Sequence, residues 1–473
     1  MTSSDATVPL VVDVDGTFLK TDLLLECFWK GLGSAPIRTV QAALRHFTDR
    51  PTLKRTLAEI APVDATTLPL DPDVGAMIAE ARGAGRPVFL VSGSTVTLVQ
   101  AVAEAHGPFD GAEGSDATTN LTAQNKAAHL VERFGAQGYD YIGDSAADIP
   151  VWRQARKAYV ARPGSPIQRR LASEGLEATT IGTPWLVRSL IQGLRPHQWL
   201  KNMLLFLPLF AAHRLDVEGL TAAFLGILAF SALASAIYIV NDLTDLEADR
   251  VHETKCNRPF ASGAVPIKVG MFASLALGLF GLAVGLALSP AMLMVLLVYL
   301  VSTLGYSFHL KRVRWVDVTM LAGLYTLRVV AGAVAAEVEA SGWLFAFIFP
   351  IFLSLGCVKR LTELAKAKGS GYVPGRRYSA MDRDDLLNVS ILAGLGSLTV
   401  FVAYSLSRTA AMLYDHIWML WAVAVLLGLW LTRMVRTGWT GEQDYDPIIY
   451  AITDRTGLAL AIGSAILLVL ASS

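Results

Sequence analysis

The stretch VVDVDGTFLKTD, residues Val11 to Asp22, decides the fold of the first part of the chain. Apolar and β-branched residues run up to Asp13 and Asp15, and Gly16 and Thr17 then break the run. A buried parallel strand reads as a continuous apolar run, and ligands in open α/β sheets sit beyond the carboxyl ends of the strands. Asp13 therefore ends a strand and Asp15 lies on the turn after it. Two more strand tips follow. PVFLVSGST (87–95) reads as a second apolar strand ending in Ser92, and YIGDSAAD (141–148) as a third tip with Asp144 and Asp148. Between them Lys126 opens the helix-like KAAHLVERFG.

These residue types suit phosphoryl chemistry. Magnesium is a hard cation that takes carboxylate oxygens. Asp13 is placed to attack phosphorus and pass through an aspartyl-phosphate, and Asp15 to protonate the leaving oxygen and then activate water. Ser92 and Lys126 would hold phosphate oxygens. Asp13 and Asp144 would fix the Mg²⁺ together with Asp15, while Asp148 supports its loop. DVDGT, Ser92, Lys126 and GDSAAD, in that order, resemble the four motifs of the haloacid dehalogenase (HAD) phosphatase superfamily. The resemblance covers roughly residues 8–180 and implies a Rossmann-like α/β domain, 1–182, with a small helical cap at about 21–75.

The whole chain has 473 residues, 53% of them apolar, and 40 basic residues against 40 acidic. That balance argues against nucleic acid or another polyanion as partner. Three cysteines far apart, Cys27, Cys256 and Cys357, give no disulfide or zinc pattern and fit a reducing compartment. The N-terminus lacks the basic and apolar regions of a cleaved signal peptide. Residues 181–194, IGTPWLVRSLIQGL, read as a juxtamembrane helix within a 183–198 linker.

From Trp199 onward apolar runs alternate with charged loops. A bilayer core needs about 20 apolar residues per helix, and nine runs read as spans, the first and sixth being the shortest: 199–212, 219–241, 267–288, 291–309, 317–336, 343–358, 389–407, 416–433 and 456–472. The expected fold of 199–473 is thus an all-α membrane domain of nine spans. Loops on one side carry 17 Lys and Arg and those on the other only Arg214 and Arg408. The positive-inside rule makes the first side cytoplasmic, with the N-terminal domain, and leaves Ser473 outside a cytoplasmic (inner) membrane.

The carboxylates gather on the same side. Asn241, Asp245 and Asp249 are spaced i, i+4, i+8, one face of a helix, with Asp242 beside them. Carboxylates so close need a positive partner, and Mg²⁺ bridging a pyrophosphate is the natural candidate. Arg258 follows. Lys311, Lys359 and Arg360 lie in the basic loops and suit anionic substrates, although such cations also set topology. Lys201 suits snorkelling or phosphate contact. Arg328, inside a span, is a functional candidate facing the bundle interior. Trp199 and Trp315 read as interfacial anchors.

NDLTDLEADRVHETKCNRPFASGAV (241–265), RPHQWLKN (195–202) and YSFHLKR (306–312) resemble segments of the UbiA-type intramembrane prenyltransferases. LRVVAGAV (327–334) and VKRLTEL (358–364) bring the likeness closest to the decaprenyl-phosphate phosphoribosyltransferase branch. The resemblance implies a diphosphate-bearing donor held through Mg²⁺, here phosphoribosyl pyrophosphate, and a polyprenyl phosphate acceptor in the membrane. For a second metal-binding motif, Asp382 and Asp385 in AMDRDDLLN compete with Asp446 and Asp454 in YDPIIYAITDR. Two other readings stand: a prenyltransferase acting on an aromatic or other small acceptor, and a transporter with a regulatory HAD domain. Transporter sites lie near the midplane on broken helices, whereas these carboxylates collect at one face. The phosphatase would remove the 5-phosphate of a phosphoribosyl lipid, or trim pyrophosphate or an unrelated metabolite.

Overall fold

The apolar run Leu10–Val12 forms strand β1, fully buried as the sequence requires. It opens a six-stranded parallel sheet in the computed structural model, which describes residues 8–116, 119–161, 166–308, 310–367, 376–443 and 446–472. Lys368, part of the basic loop, and Ser473 lie outside the described residues, as do His309 and Tyr445 of the quoted motifs. The remaining strands are β2 (Val88–Thr95), β3 (Gly111–Ser115), β4 (Asp140–Gly143), β5 (Lys157–Ala161) and β6 (Ala178–Ile181). Their order is β3-β2-β1-β4-β5-β6. The strand order reverses direction around β1, which pairs with β2 on one side and β4 on the other. Beyond the carboxyl end of such a switch point lies the usual ligand crevice. Asp13 sits there, its N–H bonded to the Ile142 carbonyl at 2.9 Å.

The cap consists of α1 (Leu23–Ser34), α2 (Pro36–Arg45) and α3 (Arg50–Ile60). Asp22 and Asp49 each accept a hydrogen bond from the backbone N–H three residues on, satisfying orphan donors at the starts of α1 and α3. Pro36 and Pro51 occupy first-turn positions, where proline's fixed φ suits a helix.

The chain divides into two compact units. The first comprises Met1–Leu194 with Tyr238–Ser274, and the second Arg195–Ile237 with Leu275–Ser473. The first unit thus holds the parallel-sheet domain together with the aspartate-rich segment 241–265.

Among the described residues, seven helices are long and apolar enough to cross a membrane, not nine. They are Val217–Thr244, Ile267–Leu288, Pro290–Phe308, Val316–Ala335, Gly342–Lys366, 380–405 and Ile417–Thr440. The run 199–212 is apolar, but it forms a 3₁₀ segment, Pro196–Phe206, and a five-residue helix, Leu207–Ala211. Pro196 and Pro208 each lack a backbone donor, and Pro208 marks the change between the two. The last run gives the helix Arg455–Ala471, whose 17 residues fall short of the other seven.

Candidate active sites

In the first unit, Asp13 is buried and its Oδ1 accepts from Lys126 Nζ at 2.7 Å. Lys126 also reaches the Tyr141 hydroxyl at 2.8 Å and Asp148 Oδ1 at 3.4 Å. Tyr141 donates to Asp148 Oδ1 at 2.7 Å, and Ser145 holds the other oxygen through its N–H and hydroxyl at 3.1 and 2.9 Å. With both oxygens engaged, Asp148 orients Lys126 and its own loop.

Asp15 is tied elsewhere. Its Oδ1 accepts from Leu23 N–H at 2.7 Å, and its Oδ2 from the hydroxyls of Ser92 (3.0 Å) and Ser94 (2.6 Å). These donors fix the carboxyl on the lip of the cavity. Ser92 therefore meets Asp15 and lines the cavity where phosphate oxygens would lie.

Asp13, Asp144 and Asp148 can offer oxygens all within 4.8 Å of one another. Asp15 is not part of that group. Burial pushes the Asp13 carboxyl well above the usual carboxylate range; Lys126 opposes this, and Asp148, Asp144 and Asp15 add to it. Burial alone would lower the Lys126 ammonium, but Asp13 and Asp148 hold it above its ordinary value. The cluster thus carries more negative charge than one ammonium balances, and a divalent cation fits that excess. Gly16 has φ +76°, and a Cβ there would lie 2.2 Å from Asp144 Oδ2. The glycine of DVDGT is required both for the turn and for the approach of this carboxylate.

The aspartate-rich segment differs from its helical reading. The helix Val217–Thr244 ends before Asp245, and a second, short helix, Leu246–Arg250, begins after it. Asn241, Asp245 and Asp249 are therefore not on one continuous helical face. Asp245 is exposed, while Asp242 and Asp249 are buried and share Arg258, at 3.2 and 2.6 Å. Burial raises the Asp249 carboxyl, and Arg258 offsets part of that rise. In the same unit Arg250 clamps Glu26 of α1 with two bonds of 2.6 and 3.1 Å and bonds the Ala261 carbonyl at 3.0 Å.

In the second unit, Lys201, buried, and Lys359, half-buried, converge on Asp446. Lys359 Nζ lies 3.5 Å from Asp446 Oδ2. Burial would raise Asp446, but Lys359 and Lys201 hold it well below the usual carboxylate range. Lys201 lies 6.0 Å from the centre of the Tyr325 ring, and Arg328 lies 5.7 Å from it. Arg328 is buried and donates to Asn202 Oδ1 at 2.9 Å and to the Leu324 carbonyl. Arg360 is fully buried and bound by Asp317 (2.5 and 3.1 Å) and Glu363. Asp317 also takes Arg376 at 2.6 Å. Lys311 lies in the 3₁₀ turn Leu310–Arg312.

Of the competing second-motif acids, Asp446 alone joins this lysine pair. Asp382 and Asp385 both bond Arg314, at 2.7 and 2.5 Å, and Asp454 bonds Arg433 at 2.8 Å. Sequence reasoning passed over Ser94, Lys54, Tyr141, Tyr325, Asn202 and Asp317. Only Asp317 carried a signal, being a carboxylate inside an apolar run.

A six-stranded parallel sheet with carboxylates at its switch point, joined to a helical domain with buried cations, defines a two-part membrane enzyme. Residues 203–453 match the UbiA prenyltransferase family and residues 10–153 the haloacid dehalogenase-like hydrolases. The chain belongs to the UbiA prenyltransferase family and carries an N-terminal HAD domain. It is 34% identical to the Sinorhizobium fredii protein y4nM, over 96% of this chain and 89% of that one. It is 33% identical to decaprenyl-phosphate phosphoribosyltransferase of Mycobacterium tuberculosis, over 49% of this chain and 74% of the relative. A UbiA homolog from Archaeoglobus fulgidus, solved bound to GPP and Mg²⁺, gives a TM-score of 0.44 at 15% identity, covering 59% of this chain and 97% of that one.

Proposed function

We propose that the enzyme transfers a phosphoribosyl group from phosphoribosyl pyrophosphate to a polyprenyl phosphate, and that its HAD domain removes the remaining 5-phosphate from the product. The observation that carries this reading is the surplus of cations in the second unit: Lys201 and Lys359 share one carboxylate, Asp446, with Arg328 alongside Tyr325. Two anionic substrates need such a surplus. The decaprenyl-phosphate phosphoribosyltransferase relatives support the choice of donor and acceptor.

In the transfer, a phosphate oxygen of the lipid bonds to the sugar carbon as the carbon–oxygen bond to pyrophosphate breaks. In the second unit, Lys201 and Lys359 would hold a phosphate group of an anionic substrate. Asn241, Asp242, Asp245 and Asp249 would hold a Mg²⁺-bound donor. In the hydrolysis, Asp13 attacks phosphorus and the ester oxygen leaves with a proton from Asp15; Asp15 then takes a proton from the water that breaks the aspartyl-phosphate. Lys126 and Ser92 hold the phosphoryl oxygens. When bound at Asp13, Asp144 and Asp148, Mg²⁺ supplies positive charge that screens the nucleophile from the anionic phosphate. Fusion of both activities in one chain raises the effective concentration of the intermediate lipid. The bias of basic loops supports a cytoplasmic-membrane location with the HAD domain on the cytoplasmic side.

The test uses membranes holding the full-length protein, polyprenyl phosphate, Mg²⁺ and radiolabelled phosphoribosyl pyrophosphate. Label extracted with the lipid, and lost on adding a chelator, is expected. Absence of labelled lipid, with label transferred to no acceptor, would overturn the transferase reading.

A further inference from the structure

The HAD cavity is far larger than a phosphate group. Its volume is about 860 Å³, in the range of sites that enclose a whole small molecule. At one end stand Asp13, Asp15 and Lys126. The cap supplies a different wall, made by Leu24, Leu25, Leu53 and Phe47. Leu24 and Leu53 also pack against the core of the domain, whereas Phe47 is largely exposed and open to a leaving group.

That apolar wall continues outside the cavity. On α2, Ile37, Val40 and Leu44 recur at i, i+3 and i+7, a single helical stripe, and Phe47 follows just beyond the helix end. The opposite side of α2 buries Thr39 and Ala42 against the cap. The stripe and Phe47 are open: Ile37 is 74% exposed, Leu44 76% and Phe47 79%. Isolated exposed apolar side chains are ordinary, but a contiguous stripe marks a binding surface. Phe47 lines the cavity and follows the end of α2 by two residues, so the cavity's apolar lining and the α2 stripe adjoin along the chain.

Cations line the same cavity. Arg50 lies at the start of α3, and both it and Lys54 line the cavity. Lys54 donates to the Gly93 carbonyl at 2.6 Å, between Ser92 and Ser94, the two residues that hold Asp15. Asp15 is the group that protonates the leaving oxygen, so Lys54 borders the leaving-group side. The sequence of surfaces is therefore apolar, cationic, catalytic.

We propose that the HAD pocket takes a phosphomonoester with an amphiphilic leaving group, its lipid chain lying on Phe47 and the α2 stripe and an anionic linker beside Arg50 and Lys54. This rests on the phosphatase reading and adds the substrate class. The order of surfaces fits a chain, a phosphodiester, a polar spacer and a terminal phosphomonoester, in that order. Water hydrolyses the terminal ester; inorganic phosphate and the corresponding alcohol leave, and the phosphodiester is untouched.

Dioctanoyl phosphatidylinositol 4-phosphate has that order of groups, and its deacylated form keeps both phosphates without the chains. The full-length protein in nanodiscs should hydrolyse the dioctanoyl form with a kcat/KM about tenfold higher, mainly through KM, a gain that roughly two buried methylenes supply. Leu44→Ser combined with Phe47→Ser should bring that ratio close to one, and Phe47→Leu should keep it. A ratio near one in the wild-type protein, or an unchanged ratio in the double variant, would overturn the proposal while leaving the phosphatase reading in place. If neither compound is hydrolysed, the phosphatase reading fails and binding to the Asp13→Asn protein decides the pocket's ligand class. Tighter binding of the dioctanoyl form, lost in the Asp13→Asn, Leu44→Ser, Phe47→Ser protein, supports the proposal; equal binding of both forms overturns it. The thermal unfolding midpoint of each variant shows whether the exposed positions were replaced without loss of fold.

Discussion

Two buried charge clusters in this chain are built with opposite excess. In the first unit Asp13, Asp144 and Asp148 can bring oxygens within 4.8 Å of one another at the tip of β1, with the Lys126 ammonium bonded to two of them. In the second unit Lys201 and Lys359 share one carboxylate, Asp446, while Arg328 spends its hydrogen bonds on uncharged oxygens among the described residues. Burial of unpaired charge is costly, so each excess implies a missing counter-charge. The first cluster asks for a cation and then a phosphate, and the second for an anion directly. A third cluster, Asp317 and Glu363 with Arg360 and Arg376, is balanced and needs nothing further. Balanced buried pairs brace a bundle, whereas unbalanced ones mark where a substrate completes the charge.

Five changes test the contrast. The largest effect belongs to Asp13→Asn. It removes the nucleophile and should lower phosphatase turnover by about ten-thousandfold or more, as loss of a nucleophile does elsewhere. Label transfer to lipid should persist, and its loss in a folded protein would mean the two clusters are one functional unit. Asp15→Asn removes proton transfer and should cost about a thousandfold in phosphatase kcat for substrates with a poor leaving group. A p-nitrophenyl leaving group should narrow that loss, because it needs little protonation; equal losses on both substrates would count against the acid role.

Asp249→Asn should reduce lipid labelling about a hundredfold, the scale of one electrostatic contact to a developing anion. Asp245→Asn should cost less, since Asp245 is exposed and does not share Arg258. Equal effects would restore the continuous-face picture that the break at Asp245 removes. The smallest effect is read as stability. Asp446→Asn leaves Lys201 and Lys359 without their carboxylate and should destabilise the protein by about 3 kcal/mol. The unfolding midpoint in detergent reports this, and added pyrophosphate should recover part of it. An unshifted midpoint would show that the lysine pair needs no anion.

The sheet was legible because its motifs are local. DVDGT alone specifies a buried strand, a left-handed glycine and two carboxylates, and Ser92, Lys126, Asp144 and Asp148 arrive at neighbouring strand and helix ends. Membrane spans were legible where the apolar run also allowed a helix. At 199–212 the run is apolar but shorter than a span needs, and Pro208 interrupts any continuous α-helix there. The spacing of Asn241, Asp245 and Asp249 misled because periodicity carries meaning only within an unbroken helix. The meeting of Lys201, Lys359 and Asp446 could not be read at all. Their partners lie 87 to 245 positions apart in the chain, and only packing brings them together. Phe47 was equally silent, since an apolar residue after a cap helix reads as core until its exposure is known.

The central claim is that the HAD domain consumes the lipid made by the transferase domain. The most direct measurement is the mass of labelled lipid formed from phosphoribosyl pyrophosphate and polyprenyl phosphate by the wild-type and Asp13→Asn proteins. The variant should accumulate a lipid heavier by one phosphoryl group, and the wild-type protein should release inorganic phosphate in step with lipid labelling. Lipids of identical mass from the two proteins would contradict the account.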